Sequence, residues 1–155
     1  MFRMGNTFSE VELRPVSQNG KMGYCDGEGM IVIQPLYDEA CPYIDGLAQI
    51  KVGQKWGFID SRGKVVIFPQ FEEVSEFSEG MACFRINDKW GYINLSGKTV
   101  IEPQFEAAAN FFWGIAFVQK NDIHEFIDRQ GNPISESEFH QAITNLISNF
   151  FKSND

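Results

Sequence analysis

The stretch Lys55–Val74, KWGFIDSRGKVVIFPQFEEV, holds two strand signals and the turn between them. Trp56 and Phe58 alternate with Gly57 and Ile59, which is the two-residue period of a strand. Asp60-Ser61-Arg62-Gly63 then puts Asp at the first turn position and Gly at the fourth. That pattern is the signature of a type I turn closed by a residue at positive φ, a hairpin connection. Lys64 to Phe68 forms a second, β-branched strand, expected to stop at Pro69, which brings no N–H to a ladder. A loop with Phe71 and Phe77 leads to Gly80 and a third strand, Met81 to Ile86, on which Ala82, Phe84 and Ile86 share a face.

The same text recurs outward from this stretch at a spacing of 34 residues: KMGYCDGEGMIVIQPLYDEA from Lys21, KWGYINLSGKTVIEPQFEAA from Lys89, and a worn IHEFIDRQGNPI from Ile123. The turn repeats as Asp26 to Gly29, Asn94 to Gly97 and Asp128 to Gly131, the strand-ending proline as Pro35 and Pro103. Gly46, Gly80 and Gly114 mark one bend, and Ala48, Ala82 and Ala116 a tight contact beside it. Gly23, Gly57 and Gly91 lie inside a strand, a weak place for glycine; room for a neighbouring ring such as Trp56 or Trp90 is the expected reason. Three short strands cannot bury their aromatic face alone, so units must stack. Helix-pair arrays share this period, but Gly and Pro interrupt every unit and the alternation is two-fold, which excludes them.

In KWGFID, KWGYIN, the Asx-x-x-Gly turn, VIFPQFEE and VIEPQFEA the chain resembles the WG β-repeat family, over Lys21 to about Ile134. The resemblance implies an all-β tandem array of bacterial type, without catalytic residues to carry over, that binds partners. Met22 replaces Trp in the first full copy and His124-Glu125 replaces Trp-Gly in the last, so the ends read as caps.

The expected organisation is a β-repeat array over residues 1–134, comprising a partial cap at 8–20, units at 21–54, 55–88 and 89–122, and a degenerate unit at 123–134. A C-terminal capping helix follows over 135–155, since Phe139, Ala142, Ile143, Leu146, Ile147, Phe150 and Phe151 recur at helical spacing. Ser135 with Glu138 makes its capping box. The helix closes the exposed end of the array.

The chain carries 13 basic and 21 acidic residues, a net charge of −8. Phosphate-backbone binding needs clustered Lys and Arg, so nucleic acid is excluded as a partner. A basic protein is permitted, steered by long-range attraction. No apolar run has the length of a membrane span, and no leader follows the first residues, so the expected location is the cytosol. Three cysteines, none in a CxxC spacing, read as Cys25 and Cys83 in the core and Cys41 at a small-residue position; none is a nucleophile or ligand.

No nucleophile elbow, phosphate loop or paired-carboxylate motif is present, and no cofactor is expected. The one set with metal-ligand character is His124, Asp128 and His140, but His124 simply fills the worn Trp position, so no metal is expected. Function is sought where the copies differ. Unit two carries carboxylates after its second strand, and Asp38, Glu39, Glu72, Glu73, Glu76 and Glu79 make an expected acidic ridge. Unit three instead has Phe112 and Trp113 where unit two has Ser78 and Glu79. Such aromatics are either buried beneath the C-terminal helix, the favoured reading, or offered to a partner as a hot spot. The leading expectation is a non-enzymatic protein-binding module, an inhibitor or immunity-type protein for a basic partner. Alternatives are a small-molecule or glycan binder using Trp90, Trp113 and Tyr92 as stacking platforms, and a hydrolase built around His124 and Asp128.

Overall fold

The computed structural model describes residues 12–153; residues 8–11 of the expected cap and the last two residues of the expected helix lie outside them. The strands run in chain order as β1 (Arg14–Gln18), β2 (Lys21–Cys25), β3 (Ile31–Tyr37) and β4 (Glu39–Ala40). Next come β5 (Leu47–Val52), β6 (Lys55–Asp60), β7 (Val65–Phe71) and β8 (Glu73–Val74). The rest are β9 (Met81–Ile86), β10 (Lys89–Asn94), β11 (Thr99–Phe105), β12 (Ala107–Ala108), β13 (Ala116–Lys120) and β14 (Ile123–Ile127). Helix α1 (Glu136–Lys152) closes the order.

Two kinds of short turn set the strand pairing. Asn19-Gly20, Asn87-Asp88 and Asn121-Asp122 each hold both residues at positive φ, between 50° and 76°. A two-residue type I′ hairpin needs that geometry, and Asn, Asp and Gly tolerate it best. These turns place Gln18 opposite Lys21, Ile86 opposite Lys89, and Lys120 opposite Ile123. At the wider Asx-x-x-Gly turns one Asp or Asn oxygen accepts two backbone N–H groups, as Asp60 Oδ1 does from Arg62 and Lys64, both at 2.9 Å.

Among the described residues the strands form four small sheets, ordered β1-β2-β3, β4-β5-β6-β7, β8-β9-β10-β11 and β12-β13-β14. Each four-stranded sheet takes its first two strands from one sequence unit and the other two from the next. The hairpin β5–β6, paired from Leu47–Asp60 to Val52–Lys55, therefore stitches the unit at Lys21 to the unit at Lys55. A single repeat would leave both its sheets incomplete.

The prolines do not end their strands. β3, β7 and β11 run through Pro35, Pro69 and Pro103 and lie at sheet edges, where a missing N–H costs no ladder bond. The register of β10 on β11 shifts between Trp90–Phe105 and Tyr92–Ile101, a bulge that brings the proline backbone over Gly91. A Cβ on Gly57 would lie 2.5 Å from the Ile67 carbonyl oxygen and 2.6 Å from the Pro69 nitrogen. The glycine of each Trp-Gly pair thus makes room for backbone at the bulge, and the expectation of a neighbouring ring is corrected.

The chain divides into two compact units, Met1–Gln70 and Phe71–Asp155. In the first, Tyr24, Ile33, Ala48, Ile50 and Ile59 are buried together. In the second, the core gathers Met81, Cys83, Tyr92, Ile101, Phe105, Phe111, Ala116, Val118 and Ile127, with Trp90 packed at its side. Each large apolar side chain so buried contributes about 1.5–3 kcal/mol. Burial in β9 is two-sided, Met81, Ala82, Cys83 and Phe84 all being buried, rather than confined to the face of Ala82 and Phe84. Tyr24 and Tyr92 satisfy their hydroxyls by donating to the carbonyls of Cys41 (2.7 Å) and Ala109 (2.8 Å); Phe58 occupies the same place in the middle repeat.

Helix α1 has the expected capping box, with Ser135 as N-cap. It seats Phe139 on Phe126 of β14, ring centroids 4.5 Å apart, yet no residue of the helix is fully buried. No helix among the described residues is long and apolar enough to cross a membrane.

Candidate partner-binding surface

The loop after β8 and the loop after β12 differ most between copies, and each ends in a tight corner. The corners are Asp45-Gly46, Glu79-Gly80 and Trp113-Gly114, every residue of them at φ between 50° and 79°. Each is closed by a reciprocal backbone pair, such as Phe112 with Ile115 at 2.9 and 3.0 Å. Asp tolerates the left-handed region through its short polar side chain; a bulky Trp there is an outlier that costs about 1 kcal/mol or more.

Trp113 holds this strained place with its ring in solvent, 67% exposed, beside Phe112 at 65%. The expectation that α1 would bury them is corrected: the helix rests on Phe126 through Phe139 instead. The corner itself is braced. Glu79 accepts from the N–H groups of Trp113 (2.6 Å) and Gly114 (2.9 Å). Arg129 in turn donates to the Glu79 carbonyl at 2.8 Å, places a second nitrogen 3.6 Å from its carboxylate, and lies 5.8 Å from the Phe111 ring centroid. The two exposed rings therefore project from a fixed backbone.

The acidic ridge is largely committed to the fold. In the first unit Asp38 accepts from Lys21 Nζ (2.5 Å) and from the Gly53 N–H (2.7 Å). The Lys21 bond, then the Gly53 bond, hold its carboxyl below the usual range. Glu39 pairs with Lys51 at 2.7 Å. In the second unit Glu72 caps the Asn87-Asp88 turn, accepting from Asn87 N at 3.1 Å. Glu73 pairs with Arg85 at 2.5 Å. Glu106, at the position of Asp38 and Glu72, takes Lys89 at 2.9 Å, and that bond chiefly holds its carboxyl low. Glu76 is exposed and alone of the six has no bond to its carboxylate among the described residues.

Of the three expected stacking platforms, Tyr92 is fully buried and Trp90 half-buried, so only Trp113 presents a free face; the three-ring platform is corrected. His124 stacks on Phe117, centroids 5.4 Å apart and planes 2° from parallel. His140 Nδ1 lies 2.8 Å from the Glu136 carbonyl, and Asp128 Oδ1 holds the N–H groups of Gln130 and Asn132 at 2.9 Å. No group of three His, Cys, Asp or Glu poised for a metal occurs among the described residues. The brace by Arg129 escapes sequence reading, although the copies carried a signal: the equivalent positions are Gly27, Ser61 and Leu95, none of them cationic.

Comparison with curated proteins and with solved structures gave no match. The model of the WG containing repeat matches three times, over residues 22–56, 56–90 and 90–122, together more than half of the chain. The matched stretches contain Gly23, Gly57 and Gly91, the glycines lodged against the proline bulges. The chain belongs to the WG containing repeat family.

Proposed function

We propose that this chain is a non-enzymatic protein-binding module whose anchor is the Phe112-Trp113 corner. One observation carries the reading: Trp113 stands 67% exposed at positive φ where the sister corners hold Asp45 and Glu79. A large apolar ring kept both strained and wet is a stability cost on two counts, and interface hot spots favour Trp on a pre-organised support. The brace of Glu79 and Arg129 supplies that support. The net charge of −8 favours a basic protein in the cytosol, of the kind an inhibitor or immunity-type protein would neutralise. Glu76 is the exposed carboxylate of the expected ridge that the fold leaves uncommitted.

The test uses the full chain as bait, with Trp113→Asn and Phe112→Ser as paired variants. Both side chains are exposed, so the variants keep the fold. The expected result is that a protein retained by the parent chain at moderate salt is lost from both variants. Equal retention by all three baits would sink the proposal.

A further inference from the structure

Among the described residues, three hairpin turns present the same side chain in the same backbone setting. Asn19, Asn87 and Asn121 open the turns that join β1 to β2, β9 to β10 and β13 to β14, at φ 51°, 50° and 53°. All three are exposed. The residue that follows sets them apart. In the first turn it is Gly20, where a Cβ would meet nothing within 4 Å; in the others it is Asp88 and Asp122.

The turns differ also in what holds them. Glu72 caps the second, 3.1 Å from the Asn87 nitrogen and 3.5 Å from that of Asp88. Glu106 takes the N–H groups of Asn121 and Asp122 in the third. The residue one period before Asp38 and two before Glu72 is Met4, which has no carboxylate to give. Among the described residues the Gly20 N–H has no acceptor. A carboxylate on a turn N–H blocks that nitrogen as a nucleophile in two ways: it occupies the hydrogen, and its charge disfavours the anion that deprotonation would leave. Gly20 is under neither restraint, and it has no side chain to crowd the nitrogen beside it. The strand order points the same way. β1 is the outer strand of its sheet, whereas β9 and β10 are both inner strands of theirs, so the first hairpin opens with the loss of a single ladder.

We propose that Asn19-Gly20 is a site of spontaneous deamidation, with water as the co-reactant. Asparagine is a thermolabile residue, and here its amide carbon has an unguarded nucleophile next to it. The Gly20 nitrogen gives up its proton and bonds to Asn19 Cγ; the Cγ–Nδ2 bond breaks, ammonia leaves with that proton, and a cyclic imide closes. Water then opens either imide carbonyl, giving aspartate or isoaspartate, and nothing is oxidised or reduced. Both products put a carboxylate where a neutral amide stood. Isoaspartate also adds a methylene to the backbone of a turn whose length sets Gln18 opposite Lys21, which loosens β1 from its register.

The test holds the full chain in warm neutral buffer, digests samples taken over days, and reads each asparagine by mass spectrometry, with fragmentation separating isoaspartate from aspartate. Asn19 should convert at least about tenfold faster than Asn87 or Asn121, the worth of a charge-assisted hydrogen bond expressed as a rate, and should yield both products. Gly20→Asp gives the first turn the sequence of its sisters, whose Asp residues sit at φ 59° and 60°. It should keep the circular dichroism of the parent and slow conversion of Asn19 several-fold. An Asn19 that stays intact, equal conversion at the three turns, aspartate without isoaspartate, or a Gly20→Asp chain that converts as fast as the parent would each overturn the proposal.

Discussion

Gly91 lies so close to Pro103 that a Cβ on the glycine would stand 2.8 Å from the proline nitrogen and 2.6 Å from the carbonyl oxygen of Ile101. Neither neighbour is a flexible side-chain tip; both are backbone, fixed by the bulge between β10 and β11. Gly57 stands in the same relation to Pro69. The Trp-Gly pair and the Pro of each repeat are two halves of one contact.

Gly91→Ala should therefore lower stability by about 3 kcal/mol, the upper end of overpacking costs, read as a shift in the denaturation midpoint. Gly20→Ala is the contrast, because a Cβ there meets nothing within 4 Å but the residue sits at φ 76°. It should cost only about 1 kcal/mol. Equal losses at the two sites would contradict the close-approach account.

Glu79→Gln should cost about 1–2 kcal/mol, since a neutral amide cannot serve two N–H donors and Arg129 as a carboxylate does. Glu76→Gln, at an exposed carboxylate, should change stability by no more than about 0.5 kcal/mol. Urea titration of the two variants separates the structural acid from the surface one.

Stability should fall at both ends of the pH scale. Burial, the leading cause each time, pushes the hydroxyls of Tyr24, Tyr43 and Tyr92 well above their ordinary value of 10.0. A pKa raised in the folded state gives stability that is complete below the unfolded value and lost as pH climbs beyond it, so alkaline unfolding should set in above about pH 10. Asp38, Glu106 and Glu138 are lowered, chiefly by bonds to Lys21, Lys89 and Ser135. Their contribution is present above the ordinary carboxylate range and is lost as pH falls below about 4. Thermal melts across pH check both limbs, and Tyr92→Phe should blunt the alkaline one.

What could be read from the sequence was what repeats locally. The Asx turn needs only an oxygen, four residues and a glycine, all contiguous, and its geometry follows from the residue types at Asp60 and Gly63. The capping box of Ser135 and Glu138 is local in the same way. The contacts that escaped join distant residues. Glu79 reaches Trp113 across 34 residues, one full period, which marks the two positions as equivalents but not as touching, and Arg129 reaches Glu79 across 50, which is no multiple of the period. The fate of Phe112 and Trp113 was missed for a related reason: amphipathic spacing says that a helix has an apolar face, not which surface receives it, and Phe126 received it. The Asn19-Gly20 hairpin is local as the Asx turn is, a contiguous pair that is the strongest short-range turn signal there is.

Trp113 itself links stability to recognition. Trp113→Asn removes a bulky ring from the left-handed region and should raise stability by about 1 kcal/mol, seen as a higher melting temperature, while removing the anchor. A gain in stability with a loss of binding is the pattern of a residue kept for recognition.

The most direct measurement is a calorimetric titration of the protein that co-purifies with the full chain against the parent and the Trp113→Asn variant. The account predicts that affinity falls by at least 2 kcal/mol, about 30-fold, with the variant at least as stable as the parent. An unchanged dissociation constant for a folded Trp113→Asn chain would contradict it.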